Sequence, residues 1–225
     1  MKPVAHIHTD FDTKFGVPRQ SGLSPNSVGR VVFTPEYRNV DALRGLDGYS
    51  YIWLLWDFSE AHREEGTWSP TVRPPRLGGN TRMGVWATRS PFRPNPIGLS
   101  SVRLERIDWH SPEGPVLVVS GADLMNGTPI FDIKPYLPFT DSHPDARGGF
   151  AEEKNREIAP LEVEIPDDIM HIFTLRQQEA LREVLSQDPR PHYQNDPSRI
   201  YTMEFAGKEI RFNIDGNIAR VIACE

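Results

Sequence analysis

Short runs in which apolar and polar residues alternate, separated by Gly, Pro, Asn and Ser clusters, dominate this chain and predict antiparallel strands. Pro3 to Thr9 predicts a first strand, Asp10 to Ser27 a loop carrying Gly16, Pro18, Gly22 and Pro25, and Gly29 to Phe33 a second strand. Asp41 is placed to N-cap one helical turn, Ala42 to Leu46. Tyr49 to Phe58 is aromatic or aliphatic at both parities, which predicts a central strand buried on both sides. Met83 to Thr88 reads as another strand. Ile97 to Trp109 and Val116 to Ala122 read as neighbours joined through Ser111-Pro112-Glu113-Gly114. Asn126-Gly127 predicts a tight turn, since both residues tolerate positive φ. Thr128 to Tyr136 then runs extended, with Pro129 and Pro135 suggesting an edge or site-lining position.

After the polar stretch Asp141 to Lys154 the pattern changes. Leu161, Val163 and Ile165 alternate as a strand; Thr174 to Gln177 matches a capping box, and the helix behind it runs to about Gln187 with Leu181, Val184 and Leu185 on its apolar side. Asp188-Pro189 stops that helix, and Ile210 to Ile214 and Ile218 to Ala223 form a hairpin around Asp215-Gly216. The expected fold is mainly β: an antiparallel β-barrel over residues 1–142 and a small α+β C-terminal domain over residues 155–225.

Composition narrows the chemistry. The chain has 225 residues, 38% of them hydrophobic, enough for a real core. A formal net charge of −6 argues against a protein held on nucleic acid everywhere by bulk charge. The single cysteine, Cys224, excludes an internal disulfide framework and a cysteine zinc cluster and reads as a reduced cytosolic thiol. Met1 to Asp10 has no apolar signal region, and the longest apolar run, Tyr51 to Trp56, is too short to cross a bilayer, so a cytoplasmic chain without membrane contact is expected. No glycine-rich phosphate-cradling motif follows a strand.

Against the acidic whole stands one local exception. Between Glu65 and Glu105 the only charges are Arg73, Arg76, Arg82, Arg89, Arg93 and Arg103, interleaved with Pro70, Pro74, Pro75, Pro91, Pro94 and Pro96. Planar cations on a φ-restricted backbone suit carboxylate, phosphate or an aromatic base, although arginines in a structural loop also pair with carboxylates. Asp132, Lys134 and Tyr136 alternate and should share one strand face, either a catalytic ledge or a solvated outer surface. His6, His8 and Asp10 also alternate, a weak metal pattern without a second half-site.

Val17-Pro18-Arg19-Gln20, Pro70 to Asn80, Arg89 to Ser100, and Gly127-Thr128-Pro129 with Asp132 to Pro138 together resemble the TsaA-like family, whose best-known members are the TrmO transfer-RNA methyltransferases; Arg182 to Pro191 resembles that family's C-terminal domain. The resemblance implies S-adenosylmethionine-dependent methylation of the exocyclic nitrogen of threonylcarbamoyladenosine beside the tRNA anticodon. It implies a non-Rossmann barrel and a homodimer with the cofactor near the subunit contact; no metal is expected, since His6 and His8 lack a second half-site. It also implies that Arg19, Gln20, Ser21, His62, Arg63, Arg89, Leu99 and Asn126, Gly127, Thr128 and Pro129 surround the cofactor. Arg73, Arg76, Arg93, Asn95, Lys134 and Arg190 are then expected to meet tRNA phosphates or the threonyl carboxylate, Trp86 or Phe92 to face the sulfonium, and Asp132, with Tyr136 second, to accept the proton. Asn126 stands where many relatives have Asp, Ser21 where they have Pro, and Asp10-Phe11-Asp12 is unusually acidic. A non-catalytic RNA-binding barrel is the alternative, and a metal-dependent hydrolase built on His6 and His8 a third reading.

Overall fold

The computed structural model describes residues 1–61, 67–74, 77, 81–152, 159–190 and 196–225. In chain order its strands are β1 (Ala5–Thr9), β2 (Val28–Phe33), β3 (Tyr51–Asp57), β4 (Thr71–Val72), β5 (Met83–Gly84), β6 (Ile97–Asp108), β7 (Val116–Ser120), β8 (Thr128–Pro135), β9 (Glu162–Glu164), β10 (Tyr201–Phe205), β11 (Lys208–Asp215) and β12 (Ile218–Cys224). Alternation drives the first unit: Ile7, Val31, Ile52, Leu54, Val102, Leu117, Val119 and Ile130 all point inward and pack as one core. Hydrogen bonding closes the sheet in the order β1-β2-β7-β6-β3-β8. Each neighbouring pair is antiparallel. The connections β1–β2, β3–β6 and β7–β8 therefore emerge at one rim, and β2–β3 and β6–β7 at the other.

Several local expectations change. Only one face of β3 is buried: Ile52, Leu54 and Trp56 point inward, while Tyr51 is exposed and Trp53, Leu55 and Asp57 are half-buried on the outer wall. Met83 to Thr88 is not one strand but β5 followed by a 3₁₀ turn, Val85–Ala87, because the buried Val85 turns the chain inward. Asn39, not Asp41, caps the 3₁₀ turn Val40–Leu43, its side chain accepting the Asp41 N–H. At Asn126-Gly127 only Gly127 has positive φ (78°), and the Thr128 N–H donates to Met125, as in a type II rather than a type I′ turn. Strand β8 is an edge over only part of its length, since β1 pairs it at Thr128–Ile130 and β3 at Ile130–Pro135. A bulge at Phe131 lets Ile130 and Ile133 both face inward, which leaves Asp132, Lys134 and Tyr136 on the outer wall.

The second unit is a sheet in the order β10-β11-β12-β9 covered by α3 (Leu175–Ser186); two short helices, α1 (Pro138–Asp141) and α2 (Asp167–Met170), precede it. The capping box forms as expected, Thr174 with Gln177, and Leu181, Val184 and Leu185 are buried. Strand β10 was not predicted; its alternation is carried by Tyr201, Met203 and Phe205, polar at one ring or sulfur-bearing rather than plainly aliphatic.

The two units are joined through the β1–β2 loop and through β6. Phe11 leaves the barrel and is buried in the C-terminal core, its ring 5.6 Å from Phe205, with Phe15 and Val17 packed alongside. Glu183 of α3 accepts from the Ser24 hydroxyl (2.8 Å), the Asn26 N–H (3.1 Å) and the Asn26 side-chain amide (2.6 Å). The bulge between Leu104 and Arg106 sends Glu105 to the Ser120 hydroxyl (2.6 Å) and to Arg176 (2.9 Å) of α3, and these two partners, Ser120 first, hold its carboxyl below the usual range.

Gly98 lies opposite Trp56, and a Cβ there would sit 2.1 Å from the indole. Gly98→Ala should push Trp56 off its seat and lower stability by about 1–3 kcal/mol, read from urea unfolding; an unchanged midpoint would mean that the indole has another place to go.

Candidate active site

Barrel topology brings together residues that lie far apart in the chain. The β1–β2 loop carries Arg19, Gln20 and Ser21, the β3–β6 connection carries Arg73, Arg89, Arg93 and Asn95, and the β7–β8 connection carries Asn126 and Gly127, all at one rim. The Arg89 guanidinium donates to Gln20 Oε1 (2.6 Å), and Gln20 Nε2 donates back to the Arg19 carbonyl (2.5 Å). Arg19 donates to the Asp188 carbonyl (2.6 Å), which ties this row of polar groups to the C-terminal unit.

Asp123 escaped the sequence reading. It sits between β7 and β8, where its carboxyl accepts from the Ser100 hydroxyl (2.5 Å), and Ser100 in turn accepts from the Trp56 indole N–H (3.0 Å). Burial pushes this carboxyl above the ordinary range, while Ser100, the Arg89 charge and the Ser21 backbone N–H act in the opposite direction. Asp123 therefore touches the β1–β2 loop, β6 and the field of Arg89 at once. The only sequence signal was its place three residues before Asn126 at a strand end, which composition does not distinguish from a turn aspartate.

The remaining expected residues fall in distinct places. Leu99 is 53% exposed on the outer wall, opposite Leu55. Asn126 donates to Asp12 (2.8 Å), so the acidic stretch after Thr9 matches the amide at this turn; two carboxylates there would repel. The Thr128 hydroxyl donates to the Met125 carbonyl (2.7 Å), and Pro129 pairs with His6. Arg73 and Asn95 are exposed. Arg93 donates to the Val85 (3.2 Å) and Thr88 (2.7 Å) carbonyls and lies 5.2 Å from the Trp86 ring centre, so a guanidinium already faces that indole. Lys134 pairs with Asp132 at 2.9 Å. Arg190, its side chain only 13% exposed, pairs with Asp188 at 3.0 Å. Tyr136 packs against Tyr51 and Trp53. His62, Arg63 and Arg76 lie outside the described residues. Among the described residues, no group of His, Cys, Asp and Glu is arranged to hold a metal, and no helix is long and apolar enough to cross a membrane.

The donor set fits a zwitterionic ligand with a flat heterocycle. Arg89 and Gln20 offer hydrogen bonds to a carboxylate, Leu99 offers an exposed apolar surface, and a Cβ built on Gly127 would meet nothing within 4 Å, so backbone there is open to close approach.

Comparison with known proteins gives the same direction. The model of the tRNA-methyltransferase O N-terminal domain matches residues 6–142, and that of the TrmO C-terminal domain matches residues 158–225. A tRNA (adenine(37)-N6)-methyltransferase of Escherichia coli (strain K12) is 40% identical over 227 residues, covering 97% of this chain and 94% of the relative. A relative from Pseudomonas aeruginosa, whose name describes an S-adenosylmethionine-dependent methyltransferase, is 42% identical over 89% of this chain and 86% of its own length. The crystal structure of TrmO from Pseudomonas aeruginosa superposes with a TM-score of 0.77 at 32% identity, covering 99% of this chain and 97% of that one.

The Asp123 carboxyl yields a pH signature. Its native pKa is raised, so between the ordinary carboxylate range and that raised value the folded state binds more protons than the unfolded, and its contribution to stability falls as pH rises. Asp123→Asn keeps an acceptor for Ser100 and removes the titration. In urea unfolding at stepped pH, the variant should gain on the parent as pH climbs through that window; a constant offset at every pH would show that the carboxyl does not titrate there.

Proposed function

The chain belongs to the TrmO family, and from that premise we propose how its rim performs S-adenosylmethionine-dependent methylation of transfer RNA at N6 of adenine 37. The observation that carries the assignment of roles is the convergence of Arg89, Gln20 and Asp123 beside the open turn at Gly127. The base acted on is threonylcarbamoyladenosine, whose carboxylate gives the arginine-only window an anionic group to recognise besides phosphate. When bound, S-adenosylmethionine supplies an electrophilic methyl group that needs alignment more than activation. Arg89, steadied by Gln20, holds the cofactor carboxylate, while Leu99 and the backbone of Asn126 to Pro129 flank its adenosine. Arg73 and Asn95, exposed on the same connection, meet the RNA; Arg93 and Arg190, already engaged with neighbours, shape the surface around them. The residue 1–142 unit carries the reaction, the residue 155–225 unit adds a tRNA contact, and the cytoplasm is where such a substrate is met.

The outer wall completes the reading. Asp132 and Tyr136 lie on this wall below the rim, and Tyr136 is roughly 25 Å along β8 from Thr128 at about 3.3 Å per residue. A second copy covering the apolar wall of Tyr51, Leu55, Ile97 and Leu99 brings these side chains of one protomer toward the rim of its partner. Asp132 is then the acceptor for the N6 proton.

Arg89→Ala should weaken cofactor binding about 10- to 100-fold by calorimetry, the loss of one charge-assisted bond. Asp132→Asn should lower turnover about 10²- to 10⁴-fold with cofactor affinity kept, and full turnover would remove Asp132 from the proton-accepting role. Leu55→Asp should convert a dimer to a monomer in sedimentation, since an unpaired carboxylate would be buried in the contact; a dimer that persists would move the interface elsewhere.

A further inference from the structure

The β3–β6 connection holds a feature that cofactor binding leaves unused. Trp68 and Trp86 are 48% and 66% exposed, and their rings meet at 6.0 Å with a 37° tilt. The ledge is built. Strand β4 pairs β5, the Val85 N–H donates to the Pro70 carbonyl (2.9 Å), and the fully buried Val85 anchors the turn that holds Trp86 outward. Arg93 clamps the same turn through the Val85 and Thr88 carbonyls while lying against the Trp86 ring. Arg73 and Arg82 are exposed on the β4–β5 ribbon, and no Asp, Glu or Lys occurs from Gly66 to Leu104.

Two held indoles beside cations, with no carboxylate along the whole stretch, match a chain of flat bases on a phosphate backbone. A protein partner is the poorer match, because among the described residues of this connection the large apolar side chains that stand exposed before β6, Trp68, Trp86 and Phe92, are all aromatic rather than aliphatic. We propose that Trp68 and Trp86 form a stacking ledge for unpaired nucleobases of the RNA substrate, with Arg73 and Arg82 on the adjoining phosphates. This rests on the tRNA reading above and names a surface of the protein that grips the single-stranded loop rather than the reacting base.

The test uses the full-length protein with Trp68→Ala/Trp86→Ala and, separately, Trp86→Phe, which keeps a ring. The probes are a synthetic anticodon stem–loop RNA and a fully paired RNA of equal length; readouts are labelled-RNA anisotropy, cofactor calorimetry and sedimentation. The double variant should bind the stem–loop roughly 10- to 100-fold more weakly, bind the cofactor as the parent does, and lose the preference for the stem–loop over the duplex, while Trp86→Phe recovers most of the affinity. Stem–loop affinity within about twofold of the parent would overturn the proposal, by the same scale of stacking energies. So would a double variant whose main defect is cofactor binding or subunit association. If the parent itself binds neither RNA, the tRNA reading falls as well, a result distinct from retention of binding by the variant alone.

Discussion

Closure of the barrel is the constraint on which the site depends. Strand β1 pairs β2 along one edge and β8 along the other, so the sheet has no choice about which ends of its strands meet. With every neighbouring pair antiparallel, the three connections that carry Gln20, Arg89 and Asn126 must leave by one rim. Backbone hydrogen bonds, not affinity among the side chains themselves, therefore bring an amide from the start of the chain to a guanidinium nearly seventy residues later, where they bond at 2.6 Å.

Rim loops of this length would ordinarily be mobile, and here a second core restrains the first of them. Phe11 is buried among Phe173 and Phe205, and Glu183 satisfies a hydroxyl, a backbone N–H and an amide of the same loop. Arg19 adds a bond to the Asp188 carbonyl, at a residue held in the left-handed region (φ 51°) where α3 ends. The C-terminal unit is thus mechanically part of this rim even though its own sheet lies elsewhere. Gly98, Trp56, Ser100 and Asp123 play the matching part inside the barrel: a missing side chain makes room for an indole, whose N–H orients a hydroxyl, which fixes a carboxyl beside Arg89.

Much of this was legible in the chain. Alternation located the barrel strands to within a few residues, the Thr174–Gln177 box located α3, and the arginine–proline window pointed to the rim. Other features were not legible, for definite reasons. A bulge has no local signature, so nothing marked Glu105 as aimed at α3. Tyr49 to Phe58 looked buried on both faces because aromatic residues suit a half-covered outer wall as well as a core. The roles of Arg93 and Arg190 turned on which carbonyls and carboxylate stood within reach, and those are neighbours in space.

The order of residues by itself determined the period of each strand, the cap of the long helix, the turn at Gly127 and the exclusion of acid from the arginine window, because each depends on neighbours within a few positions. Tertiary structure alone decided that Asp123 would feel the charge of Arg89, that Asn126 would answer Asp12, and that two tryptophans would stand exposed with the Arg93 guanidinium against one of them. Those outcomes depend on the register and closure of the sheet, which are set by contacts between segments that share no local signal.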